Sequence, residues 1–167
     1  MLKFISKLVG SKSDRDLKKL QPFVDAVNSY TDSIESLSND ALRQKTLDFR
    51  TAIENATSSL EAQKISLFEQ IEATENYDAR EPLYEQTEAL DVEVLTEIER
   101  VLLEVHPEAF AVVRETAKRF MAGEVRATAT ALDRELASKL HHISIEGDQV
   151  VYANSWKAAG GDITWNM

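Results

Sequence analysis

Two long stretches of the chain repeat apolar residues at helical spacing. The first runs from position 42 to 71 and the second from 83 to 105, with steps of three, four or seven residues. This spacing places the side chains on one face of a helix. The polar Asn76-Tyr77-Asp78 separates the stretches, so we predict a long antiparallel helical hairpin. The predicted stripes are Leu42, Thr46, Phe49, Ile53, Leu60, Leu67 and Ile71, and Leu83, Thr87, Leu90, Val94, Ile98, Val101 and Val105.

Capping residues and prolines set the predicted helix ends. Ser38-Asn39-Asp40 is a good helix start, because a capping side chain precedes an acid in the first turn. Pro82 suits the first turn of the second helix. We expect that helix to end at His106 and a separate one to begin at Pro107. Pro22 predicts a kink or a break in the preceding helical run.

The separate helix predicted from Pro107 has the sequence PEAFAVVRETAKRF, residues 107–120. Ala109, Phe110, Val112 and Val113 form its predicted apolar side. Lys118 and Arg119 complement the dipole at its C-terminal end.

The pattern changes after Gly123. Residues 124–140 are ambiguous, because threonines weaken a helix there while leucines at every fourth position favour one. Residues 141–156 alternate with a period of two around Gly147-Asp148, which predicts a β-hairpin. A loop at 158–161 and a short strand at 163–165 follow. The predicted fold is mainly α, with a long antiparallel helical hairpin, shorter helices and a small β-hairpin near the C-terminus.

Charge divides the chain unevenly. The net charge is −10, which argues against a nucleic-acid partner because phosphate would be repelled. Residues 1–20 nevertheless carry a net charge of +4, whereas residues 57–105 carry 13 acidic and three basic residues. Residues 1–9 are basic and amphipathic, so they either pack on their own protein or lie on an anionic membrane surface. No apolar run approaches the ~18 residues of a membrane-spanning helix, and the absence of cysteine fits a reducing cytoplasm.

The sequence offers no catalytic motif. No glycine is followed by lysine, so the phosphate-binding loop is absent. The adjacent His141 and His142 would point to opposite faces of a strand, which makes them poor joint metal ligands. The acidic stretch lacks the Glu-x-x-His pairs of a di-metal bundle. Trp156 and Trp165 are either anchors of a small sheet or a surface for a partner.

Three blocks of sequence, in this order, resemble the N-terminal segment of the SecA family, the ATPases that drive preproteins through the bacterial Sec translocon. The first is VGSKSDRDL at 9–17, the second is LSNDALRQKTLDFR at 37–50, and the third is PEAFAVVRE at 107–115. The segments 57–106 and 121–166 depart from the common family pattern as insertions. The resemblance implies four regions: 1–56 for the N-terminal helices, 57–106 for an acidic hairpin, 107–122 for a helix leading to the motor, and 123–167 for a mixed insertion.

The resemblance places the nucleotide chemistry outside this chain. Met167 would be the first residue of the family's adenine-recognition motif, and the phosphate loop would follow later. ATP and Mg²⁺ would therefore serve the full-length protein, with no cofactor held by this segment and no catalysis by it.

The resemblance also implies partners. Lys3 and Lys7 would meet lipid headgroups, while Phe4, Ile5 and Leu8 would insert, so that the protein lies on the cytoplasmic side of the plasma membrane. The implied partners are the Sec channel, anionic lipids, the preprotein and a second copy. A different reading is a stand-alone helical adaptor whose acidic hairpin is an interaction arm. A weaker third reading is a metal-binding helical bundle.

Overall fold

The computed structural model describes residues 12–164, and its fold is mainly α, as predicted. The helices are α1 (Lys12–Ser29), α2 (Thr31–Glu35), α3 (Asn39–Ala73), α4 (Tyr77–Ala122) and α5 (Ala131–Lys139), and the strands are β1 (Val125–Thr128), β2 (Ile143–Glu146), β3 (Gln149–Tyr152), β4 (Ser155–Ala158) and β5 (Gly161–Thr164). The chain divides into two compact units. One comprises Met1–Gln44 with Pro107–Met167, and the other comprises Lys45–His106.

The unit Lys45–His106 is the predicted helical hairpin. Every residue of the predicted stripe from 83 to 105 is buried or half-buried. Ile71 on α3 and Val94 and Val101 on α4 are among the most buried side chains of this unit. We call this buried contact between the two helices the hairpin interface.

One position of the first stripe was wrongly predicted to be buried. Thr46 is exposed, whereas Thr57, which the pattern did not include, is 7% exposed. Thr57 lies four residues after Ile53 and three before Leu60, so it shares the helical face of these half-buried residues.

Three prolines lie inside helices without ending them. α4 begins at Tyr77 rather than at Pro82, and it continues through Pro107 as one helix of 46 residues. The predicted separate helix from Pro107 is therefore wrong. A proline inside a helix removes one hydrogen bond and costs about 3 kcal/mol, but burial of Val101 and Ala111 on either side offsets this cost. α1 likewise continues through Pro22.

The unit Met1–Gln44 with Pro107–Met167 contains the strands. β1, β3 and β2 form an antiparallel sheet in that order, with Ala127 and Ile145 both opposite Val150. Gly147 has a φ of 64°, as the tight turn between β2 and β3 requires. The predicted hairpin at Gly147-Asp148 is confirmed.

The predicted extent of that hairpin is wrong. β3 ends at Tyr152, and Ser155 and Trp156 belong to a second, two-stranded hairpin of β4 and β5. Its turn uses two consecutive residues with positive φ, Ala159 at 50° and Gly160 at 81°. The predicted loop at 158–161 thus shortens to a two-residue turn, because its outer residues pair with each other.

The ambiguous segment 124–140 contains both a strand and a helix. α5 begins with a capping box, in which Thr130 accepts a hydrogen bond from the backbone of Asp133 and the Asp133 carboxylate accepts one from the backbone of Thr130. Leu136 then packs on a small core around Val150. The spacing Thr-x-x-Asp is the signal that would have predicted this helix start.

Candidate functional site

The residues that the sequence nominates as contact sites lie outside the described part of the chain. They are Lys3, Phe4, Ile5, Lys7, Leu8 and Met167, whereas the structure describes residues 12–164. Within those residues, polar side chains concentrate in two places. The first is a network around Asp133, and the second is the surface of the hairpin.

Asp133 is a buried carboxylate at the centre of a partly buried hydrogen-bond network. Its side chain is 1% exposed, and Oδ2 accepts hydrogen bonds from the backbone N and the Oγ1 of Thr130, both at 2.8 Å. Arg43 Nη2 donates to the same oxygen at 2.8 Å, and the Tyr152 hydroxyl donates to Oδ1. We call these four residues the Asp133 network. It joins α3, α5 and β3.

The network determines the protonation of its two acids. Burial alone would raise the pKa of Asp133, but hydrogen bonds from Tyr152, from the Thr130 backbone and from Arg43 together hold that pKa well below its ordinary value. Burial and the hydrogen bond to Asp133 raise the pKa of Tyr152 to about 12. Asp133 is therefore a permanent carboxylate at neutral pH and Tyr152 a permanent hydrogen-bond donor.

The first turn of α3 is bound to strand β1. Asp40 accepts hydrogen bonds from the backbone N and the Oγ1 of Thr128, at 2.8 Å and 2.7 Å. Asn39 donates to the Arg126 carbonyl at 2.7 Å, and Arg43 donates to the Thr128 carbonyl at 3.1 Å. The hydrogen bonds from Thr128 lower the pKa of Asp40. Residues 80 to 90 positions apart are thereby fixed together.

The C-terminal part of α4 provides the remaining cross-links of this unit. Arg119 donates to the Leu37 carbonyl at 2.9 Å and to Asn39 Oδ1 at 2.7 Å. Lys118 pairs with Glu35 at 2.6 Å. The basic residues that the sequence assigned to a helix dipole thus bind neighbouring elements.

Only half of the predicted apolar side of residues 107–120 is buried. Val112 is 8% exposed, and its neighbour Ala111, which the sequence did not nominate, is 1% exposed. Phe110 and Val113 are 56% and 66% exposed, so they do not share the buried side of the helix with Ala111 and Val112.

The hairpin has a strongly acidic surface, with 13 acidic and three basic residues between 57 and 105. Its three basic residues between 57 and 105 are all engaged. Lys64 pairs with Asp91 of the other helix at 2.5 Å, and Arg100 pairs with Glu97 and Glu104. Arg80 donates to the Thr74 carbonyl at 2.6 Å and lies 5.0 Å from the centre of the Tyr77 ring. The excess negative charge therefore remains on exposed carboxylates.

Neither place is a candidate metal centre in the described part of the chain. Among residues 12–164, no group of three or more histidine, aspartate or glutamate side chains is arranged to hold a metal ion. His141 and His142 lie in the turn before β2, not in a strand as predicted, and Trp156 is half-buried. In the same range no helix is long and apolar enough to span a bilayer.

The sequence belongs to the class of DEAD-like domains. Residues 5–127 match the SecA DEAD-like domain family, and the chain is a member of that family. It is 42% identical to the protein translocase subunit SecA of Flavobacterium psychrophilum over 160 residues, which is 95% of this chain and 14% of that protein.

Other relatives align over the same extent. The SecA subunit of Porphyromonas gingivalis is 42% identical over 98% of this chain. That of Amoebophilus asiaticus is 41% identical over all of it, so segments 57–106 and 121–166 fall within that alignment. The chain spans about a seventh of the length of these relatives. No solved structure matches it.

Proposed function

We propose that this chain is the N-terminal part of a SecA-type protein-translocating ATPase, which in full length couples ATP hydrolysis to preprotein export through the Sec channel. The observation that carries this proposal is the family match over residues 5–127, together with SecA relatives that align along nearly the whole chain. A stand-alone adaptor would not be expected to resemble SecA subunits along nearly its whole sequence.

The role proposed for this segment is packing and contact, not catalysis. The sequence has no glycine followed by lysine, so residues 1–167 supply no phosphate loop. ATP and Mg²⁺ would bind to residues beyond this chain, with Met167 opening the adenine-recognition motif. Residues 107–122, the C-terminal part of α4, would lead toward the motor.

The N-terminal residues are proposed to bind the cytoplasmic face of the plasma membrane and the translocon. Lys3 and Lys7 would interact with anionic headgroups, and Phe4, Ile5 and Leu8 would enter the interface. The other partners proposed for the full-length protein are the preprotein and a second copy of itself.

Vesicle flotation tests the membrane role. We expect the Lys3→Glu/Lys7→Glu variant to bind anionic vesicles at least about 30-fold more weakly at low salt, since each lysine near such a surface contributes about 1 kcal/mol and each glutamate is repelled. Lys18→Glu/Lys19→Glu, which changes the same charge on exposed positions of α1, is the matched control and should bind more tightly than the first variant. Equal binding by the full chain and a chain lacking residues 1–9, at low and at high salt, would refute the role.

A further inference from the structure

Helix α4 presents a second face on the side of the hairpin that points away from α3. Its members recur at steps of three and four residues, with adjacent pairs at 84–85 and 102–103, as one broad helical face requires. We call it the outer face, and it consists of Glu81, Tyr84, Glu85, Glu88, Val92, Leu95, Glu99, Leu102 and Leu103. The hairpin interface uses other positions of the same helix.

The C-terminal half of the outer face is apolar and exposed. Val92, Leu95 and Leu103 are 64%, 60% and 70% exposed, and Leu102 is 47% exposed. Val94, between two of them in sequence, is only 7% exposed because it lies in the hairpin interface. Single exposed apolar residues are ordinary, but a row of them along about 16 Å of one helix is a surface for docking.

The N-terminal half of the outer face is acidic and concave. Glu81, Glu85 and Glu88 line a shallow depression of about 470 Å³ together with Tyr84 and Tyr77. Carboxylates beside exposed aromatic rings attract lysine and arginine side chains through charge and through the ring faces. Arg80, which also lines the depression, is held by the Thr74 carbonyl and the Tyr77 ring.

The net negative charge of the hairpin determines which kind of partner the outer face favours. The three basic residues between 57 and 105, Lys64, Arg80 and Arg100, are already engaged. An anionic membrane or the outer face of a second copy would bring like charges together, which is unfavourable. A ligand for this face must therefore provide positive charge as well as apolar side chains.

We propose that the outer face docks a basic amphipathic helix of a partner protein. Positions 92, 95, 99 and 102 repeat at steps of three, four and three, which is the spacing that packs against a second helix. Apolar side chains of the partner cover Val92 to Leu103. Its lysine or arginine side chains lie against Glu81, Glu85 and Glu88.

The experiment uses synthetic peptides and the full 167-residue chain. The probe is a helix of about four turns (~14 residues) made of leucine and lysine with leucine at helical spacing, and its counterpart replaces lysine with glutamate. Fluorescence anisotropy should show binding of the lysine peptide, weaker at high salt, and none of the glutamate peptide. We expect Leu95→Gln/Leu103→Gln to weaken binding at least tenfold. Ile65→Gln, at a residue on α3 that is 61% exposed, should leave it unchanged.

Paired charge reversals test the acidic half. Glu85→Lys/Glu88→Lys should weaken binding at least tenfold and reduce its salt dependence. Glu69→Lys/Glu72→Lys makes the same change in net charge on exposed positions of α3, and it should have a several-fold smaller effect. All seven residues substituted in these variants, Ile65, Leu95 and Leu103 included, are exposed, so the variants should remain folded, which circular dichroism checks.

Four results would overturn the proposal. The first is equal binding of the lysine and glutamate peptides, and the second is a loss of peptide binding in the α3 control variants as large as in the α4 variants. The third is self-association of the chain that Leu95→Gln/Leu103→Gln abolishes. The fourth is binding of the chain to anionic vesicles that the same variant abolishes. The last two would assign the outer face to a second copy or to a membrane.

Discussion

A single buried carboxylate, Asp133, illustrates how residues far apart in sequence stabilise this fold. The capping box with Thr130 could be predicted from the sequence, because it depends on local spacing. The hydrogen bond from Arg43, 90 positions earlier, could not, and neither could that from Tyr152. Such contacts depend on tertiary packing, and no local pattern encodes them.

Replacement of Asp133 should therefore destabilise the chain strongly. In Asp133→Asn the side chain loses its charge and presents an amide donor to Arg43 or Tyr152. We expect the free energy of unfolding to fall by about 2 kcal/mol at neutral pH, because the buried carboxylate loses its charge while Arg43, which is 37% exposed, keeps contact with water. Urea denaturation measures this, with exposed Asp148→Asn as the control. A loss below 1 kcal/mol would show that the network contributes little.

The difference in stability between the parent chain and Asp133→Asn should change with pH in a defined direction. The pKa of Asp133 is lowered in the folded chain, so the stability that it contributes is complete above its ordinary pKa of about 3.9 and is lost as the pH falls through the lower folded value. The difference in unfolding free energy between the parent and Asp133→Asn should shrink below pH 4. The pKa of Tyr152 is raised to about 12 in the folded chain. Its protonated hydroxyl therefore adds stability that is complete below its ordinary pKa of about 10 and is lost as the pH rises through about 12. A difference independent of pH would contradict this account.

At the scale of the elements, the sequence predicted the hairpin but not the length of its second helix. The apolar stripe from Leu83 to Val105 is a strong periodic signal and gave the correct buried face. Pro107 is an equally strong local signal for a helix end, yet α4 continues through it. Burial on both sides of the proline decides the outcome, and that burial is a tertiary property.

Two valines on α4 test the assignment of the hairpin interface. Val94 is 7% exposed and Val92 is 64% exposed, so the same substitution removes the same atoms from two environments. Val94→Ala should lower the free energy of unfolding by roughly 2 kcal/mol, through lost burial and a cavity, and Val92→Ala by less than about 0.5 kcal/mol. Chemical denaturation compares them. Equal effects would mean that the helices pack in another register.

Pro107 tests whether α4 is one helix. Alanine at this position restores the missing amide donor inside a continuous helix, so Pro107→Ala should raise the free energy of unfolding by about 1–2 kcal/mol. Leu103→Ala, at a residue that is 70% exposed on the same helix, should change it by only a few tenths. Destabilisation by Pro107→Ala would favour a helix boundary at this proline.

At the scale of the whole molecule, the sequence was informative about family and uninformative about contact sites. Short motifs in a fixed order, such as residues 107–115, identified the family from the sequence alone. The match of residues 5–127 to the SecA DEAD-like domain family confirms that identification. The outer face of the hairpin was not predicted as a site. Its apolar members lie between glutamates, and their exposure depends on which stripe of α4 packs against α3.

The central proposal is that this chain is the N-terminal part of a SecA-type ATPase whose catalytic residues lie outside residues 1–167. ATP hydrolysis, measured for residues 1–167 and for the complete gene product after its codons beyond Met167 are determined, tests this claim most directly. We predict a phosphate-loop sequence beyond Met167, ATP turnover by the complete product, and none above background by residues 1–167. A stop codon directly after Met167, or turnover by residues 1–167 that persists through repurification, would contradict it.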